Sequence, residues 1–142
     1  MLDVATGKTE KGFEGHASHV LGVAWRHEGR TLLSAGAEGA VKVWDYVGGD
    51  RKKSIDGWEG EVTSVSYVDY TGNLLTSSAD KRVRLLTETG SEVKSFAGAS
   101  DFLQSSAVSA DGNVIIAGGL DGVLRVWDGK TGQVIAEFKA ED

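Results

Sequence analysis

The chain has 142 residues, 40% hydrophobic and 25% charged, with a formal net charge of −6. That composition supports a packed core and excludes a disordered chain, while the acidic balance excludes a surface built to grip a phosphate backbone. With no cysteine there are no disulfides and no thiolate metal site, and no apolar stretch is long enough to span a bilayer.

In chain order, Lys8 to Phe13 reads as a leading strand. Four short strands follow, a to d: His19 to Trp25, Thr31 to Ala35, Val41 to Trp44 and Lys52 to Ile55. Gly29, Gly36 to Gly39 and Gly48-Gly49 punctuate them, where turns need positive φ. Strand c alternates, with Val41 and Val43 pointing one way and Lys42 and Trp44 the other.

The pattern then recurs. FEGHASHVLGVAW begins at Phe13, IDGWEGEVTSVSY at Ile55 and FAGASDFLQSSAV at Phe96, steps of 42 and 41 residues. The same steps carry Trp44 to Leu86 and Trp127, and Ser34 to Thr76 and Ala117. Val83 and Leu85, then Leu124 and Val126, repeat the alternation of strand c, and Gln133 to Phe138 is the last strand. The expected division is a leading segment over 1–12 and units over 13–56, 57–97 and 98–142. No window keeps helical spacing over three turns, so the chain reads as all-β.

A four-stranded unit of this period, with Gly15-His16 before strand a and Trp44-Asp45 and Trp127-Asp128 closing strand c, resembles the WD-repeat family of β-propellers. The resemblance implies three four-stranded antiparallel blades plus the leading outer strand. It also implies a structural tetrad in each repeat, of His, Ser or Thr, Asp and Trp. The first repeat offers His16, Ser34, Glu38 and Trp44, with Glu where the family has Asp. The second offers Trp58, Thr76, Asp80 and Leu86, the third Ala99, Ala117, Asp121 and Trp127. Only the first repeat can build the whole network.

Other motifs carry no chemistry. His16 and His19, three apart in an extended stretch, face opposite ways and lack an acidic or thiol partner at ligand spacing, so no metal is expected. Gly7-Lys8-Thr9 and Gly129-Lys130-Thr131 lack the earlier glycine of a phosphate loop and precede strands, so they read as turns. Arg51-Lys52-Lys53 is flanked by Asp50 and Asp56 and reads as a solvated loop. No nucleophile constellation is present, and neither an enzyme nor a cofactor is expected. No nucleic-acid or membrane partner is expected either, and the missing cysteine and signal-peptide pattern favour a cytoplasmic compartment. In the WD-repeat family partners dock on the face carrying the b–c turns and the starts of strands a, which implies His19, Ala37, Glu61, Ala79, Phe102 and Leu120 as a protein-contact face.

The family places strand d of one repeat at the outer edge of the preceding blade, so Lys8 to Phe13 closes a blade not present here. Leu2-Asp3 falls where Trp44-Asp45 would fall one period earlier. Three blades are too few for a ring, and their two open faces call for partners. The expected function is a protein-binding scaffold module that self-associates into a ring, a trimer being favoured over a dimer, or that pairs with a complementary propeller fragment. The alternative is a piece of a larger WD-repeat protein whose propeller regulates or targets a separate domain. In either ring, Val134 to Phe138 is expected to hold the blade edge against the weaker strand Lys8 to Phe13.

Overall fold

A computed structural model describes residues 1–140. Twelve strands form three four-stranded antiparallel sheets, each a meander of consecutive strands. The first comprises β1 (Val20–Trp25), β2 (Thr31–Gly36), β3 (Ala40–Asp45) and β4 (Arg51–Asp56). The second comprises β5 (Val62–Val68), β6 (Asn73–Ser78), β7 (Val83–Leu86) and β8 (Glu92–Phe96). The third comprises β9 (Leu103–Val108), β10 (Val114–Gly119), β11 (Val123–Asp128) and β12 (Val134–Lys139). The strands of the first sheet lie within one residue of the boundaries expected from sequence. Among the described residues there is no α-helix, hence none that could cross a membrane, only a 3-10 turn at Asp69–Thr71.

The sheets stack face to face in chain order, and alternation along the strands decides what is buried between them. Leu33, Ala35, Val41, Val43 and Ile55 of the first sheet meet Val62, Val65, Leu74 and Leu86 of the second. One period later Leu75, Val83 and Phe96 meet Leu103, Ile115, Ala117 and Trp127 of the third. The middle sheet thus uses one face forwards and the other backwards, as propeller blades do. The inner strands approach most closely. A side chain on Gly22 would come within 3.2 Å of the Ser64 Cα, so glycine there lets the first two blades touch backbone to backbone. Between the second and third blades Ser64 and Ser106 share a hydrogen bond of 2.9 Å, and Thr63 Oγ1 donates to the Leu103 carbonyl at 2.8 Å.

The leading segment departs from expectation. Over Lys8 to Phe13 there is no ladder, only a bridge between Leu2 and Thr9. The physical reason is that an outer strand needs a strand c beside it, and Leu2-Asp3 supplies only the last step of one. What does form is the hairpin turn. Asp3 N–H donates to Lys8 at 2.8 Å and Gly7 N–H to Asp3 at 2.7 Å, with Gly7 at φ 67°. The turn at Asp45–Gly49 and the turn at Asp128–Gly132 have the same two bonds at 2.8–2.9 Å and the same left-handed glycine.

Candidate functional site

The b–c turns, the strands b and c that flank them and the segments leading into strands a hold the expected site residues. In the first blade the turn brings His16, Ser34, Glu38 and Trp44 together. His16 Nδ1 lies 2.5 Å from Glu38 Oε1 and Nε2 lies 2.6 Å from Ser34 Oγ, which also accepts from Trp44 Nε1 at 2.7 Å. With Glu38 ionised, one arrangement satisfies every group. Trp44 donates to Ser34, Ser34 donates to His16 Nε2, and His16 Nδ1–H donates to Glu38. Gly36 makes room for this chain, because a Cβ there would strike both the Glu38 carboxylate and the His16 ring.

Burial disfavours the charge on Glu38, but a backbone N–H, the His16 ring and the Lys42 ammonium outweigh it. Together they hold the carboxyl down to about 2 from its ordinary 4.5. A carboxyl whose folded value is depressed contributes stability that is complete above its ordinary value and is lost as pH falls through the folded one. The urea midpoint should therefore decline between pH 4.5 and about 2, and Glu38→Gln should flatten that decline. At neutral pH His16→Ala should cost about 1–3 kcal/mol by orphaning buried partners. An unchanged midpoint in His16→Ala would mean that the chain of hydrogen bonds is not formed in solution.

The other two repeats solve the same local problem differently. In the second, Thr76 is buried and Trp58 and Leu86 stand where the first repeat has His16 and Trp44. No tetrad forms. A cavity of about 130 Å³ remains between Ile55, Trp58, Arg84 and Leu86, and Trp58 Nε1 is buried there without a hydrogen-bond partner. In the third, Ala117 offers no hydroxyl, and Trp127 Nε1 donates instead to the Ala97 carbonyl at 2.9 Å. Asp121 turns to Ser100, whose hydroxyl donates to it at 2.9 Å, in place of the missing His.

One feature is common to all three repeats and is not among the residues expected from the sequence. A base four residues after each turn acid pairs with it: Lys42 with Glu38 at 3.2 Å, Arg84 with Asp80 at 2.7 Å, and Arg125 with Asp121 at 2.6 Å. The second pair is close without hydrogen-bond alignment of the facing Nη1 and Oδ2. Lys42 and Arg125 are buried. Burial disfavours the charge on Asp121 too, but the Arg125 guanidinium, the Val123 N–H and Ser100 keep it well below the ordinary carboxylate range. The spacing AEGAVK, ADKRVR and LDGVLR was the available signal, since each base shares the strand-c face of the Trp position. These pairs satisfy turn geometry. Among the described residues no group of acids and histidines could hold a metal ion.

The six expected contact residues fall into three pairs, one per blade. The Ala37 N–H donates to the His19 carbonyl, Ala79 to Glu61, and Leu120 to Phe102, each at 2.9 Å. His19, Glu61 and Leu120 are exposed, whereas Ala37, Ala79 and Phe102 are half-buried. The row runs from polar in the first two blades to apolar in the third.

Face-to-face meanders with repeated inter-blade packing define a β-propeller segment. The WD domain, G-beta repeat, matches residues 7–45, 49–86 and 90–128. The chain belongs to the WD-repeat family. It is 26% identical over 139 residues to COMPASS component SWD3 of Saccharomyces cerevisiae, which covers 91% of this chain and 44% of that protein. It is 28% identical to Protein tipD of Dictyostelium discoideum, over 85% of this chain and 20% of that protein. With Autophagy-related protein 16 of Arabidopsis thaliana it shares 24% identity, over 96% of this chain and 27% of that protein. The chain thus spans less than half the length of each of these relatives.

Proposed function

We propose that the chain is a non-catalytic protein-interaction module that covers its open blade faces with further copies of itself, forming a ring. The family, and the likeness to a component of COMPASS, support the scaffold role. The observation that carries self-association is a mismatch of burial between equivalent positions. Val23 is 73% exposed on the backward face of the first blade, whereas its equivalent Val65 is 7% exposed. Phe138 is 59% exposed on the forward face of the third blade, whereas its equivalent Phe96 is 0% exposed. Val20, Ile116 and Leu124 are likewise exposed, although Val62, Leu33 and Val41 at the same repeat positions are buried. Such a patch favours association. The two faces are a complementary pair that already meets twice within the chain, so their contact is head-to-tail and must close or grow.

A trimer is the preferred ring, with the row from His19 to Leu120 as the face for a protein ligand. Light scattering at micromolar concentration tests this reading. A mass three times 15.0 kDa supports it, a mass two times 15.0 kDa replaces the trimer by a dimer, and a stable monomer removes self-association altogether. A second reading is favoured by the short span of the relatives that is matched. In that reading further blades of a longer polypeptide cover the same faces, and the propeller regulates or targets a separate domain.

A further inference from the structure

The backward face of the first blade is not bare. A cavity of about 450 Å³, lined by Val20, Val23, Trp25, Leu32 and Trp44, lies over it, and Phe13 and Met1 form one wall. Phe13 packs edge-on against Trp44, with ring centroids 5.7 Å apart and planes at 65°. Phe96 packs on Trp127 in the same way, at 6.2 Å and 60°. Lys11 donates to the Tyr46 and Val47 carbonyls at 2.8 and 3.1 Å, as Lys94 of β8 donates to the Lys130 carbonyl one blade further on. Lys11 and Phe13 therefore occupy the places that an outer strand of a preceding blade would take, without a ladder to hold them there. Their anchors are local: the Lys11 contacts, the Tyr46 hydroxyl donating to Glu10 at 2.9 Å, and the N-terminal ammonium donating to the Lys11 carbonyl at 2.7 Å.

We propose that the cavity over Trp44 is the receptor for β12 of a second copy, with Phe138 taking the place Phe13 holds, so that residues 1–13 are a strap that must leave before the copies join. This rests on the head-to-tail reading above and adds the residues and the gate. The repeat assigns the exchange, because Phe138 stands one period after Phe96 and two after Ile55, both of which are buried against the following blade. The ladder decides the winner. β12 is paired with β11 at five positions from Val123–Lys139 to Trp127–Val134, whereas the strap has one bridge, within itself. Exposed Phe138 is free to dock as it stands. The strap lowers apparent affinity to the intrinsic value multiplied by the fraction of molecules in which it is open.

The test is the self-association constant of four proteins from concentration series in sedimentation velocity: the intact chain, Lys11→Gln, the chain lacking residues 1–12 with Phe13→Ala, and Phe138→Asp. Removing the strap should tighten association at least about tenfold. Lys11→Gln, which leaves the Trp44 packing in place and so should not compromise folding, should tighten it by a smaller factor. Association that is unchanged or weaker in both strap variants, while Phe138→Asp abolishes it, overturns the strap and leaves the head-to-tail contact standing. Association insensitive to Phe138→Asp, or absent in every variant, overturns the head-to-tail contact and the strap with it.

Discussion

Replacing Trp127 by alanine should cost about 3–5 kcal/mol, the range for truncating a large buried aromatic. Trp127 is 0% exposed in the core shared by the second and third blades. It touches Phe96 edge-on, and its Nε1 reaches the Ala97 carbonyl between the blades. No tetrad stands behind it, so packing supplies nearly all of its contribution, and alanine leaves a cavity that flanking strands cannot collapse to fill. A domain with about 5–15 kcal/mol in hand loses about a fifth or more of its stability. Urea titration measures the loss, provided the slope is unchanged. Leu86, in the corresponding position of the second blade, already stands beside a cavity, and Leu86→Ala should cost less. A Trp127→Ala loss below about 1 kcal/mol would mean that the third blade does not fold cooperatively with the second.

Gly119→Ala should cost about 3 kcal/mol, the upper end of overpacking, whereas Gly118→Ala should stay within about 0.5 kcal/mol. The neighbours differ because the β9–β10 register shifts between them. A Cβ on Gly119 would collide with the Phe102 carbonyl oxygen and come within 2.9 Å of the Leu103 Cα, while one on Gly118 meets nothing within 4 Å. Backbone cannot rotate aside as a side chain can, so the bulge must open. That would also strain the Leu120 to Phe102 hydrogen bond in the candidate contact row. Equal stability of the two variants in parallel urea titrations would show that the bulge is not tight in solution.

Much of the fold was legible because its causes are local. A period of 42 and 41 residues marks three units, and alternation along AVKVWD and VLRVWD separates the two faces of each strand c. The tetrad residues of the first repeat were legible from the family resemblance, and the structure brings those four side chains into one chain of hydrogen bonds. The substitutes were not. Ser100 replaces a histidine, and the Ala97 carbonyl replaces a hydroxyl, because turn backbones happen to pass there. The three acid–base pairs were present as a spacing but required the cross-strand geometry to give them meaning.

The sequence by itself determined the strands of the three sheets, their order, the turns and the number of blades, since side-chain alternation and glycine positions act within a few residues of one another. Only the tertiary structure decided which apolar residues are covered. Phe96 and Phe138 are the same residue type at the same repeat position, yet one is buried and the other exposed. Nor could local pattern decide the fate of Lys8 to Phe13. Strand formation there needs a hydrogen-bonding neighbour from elsewhere in space; the segment pairs through a single bridge, Leu2 to Thr9, and folds down over Trp44.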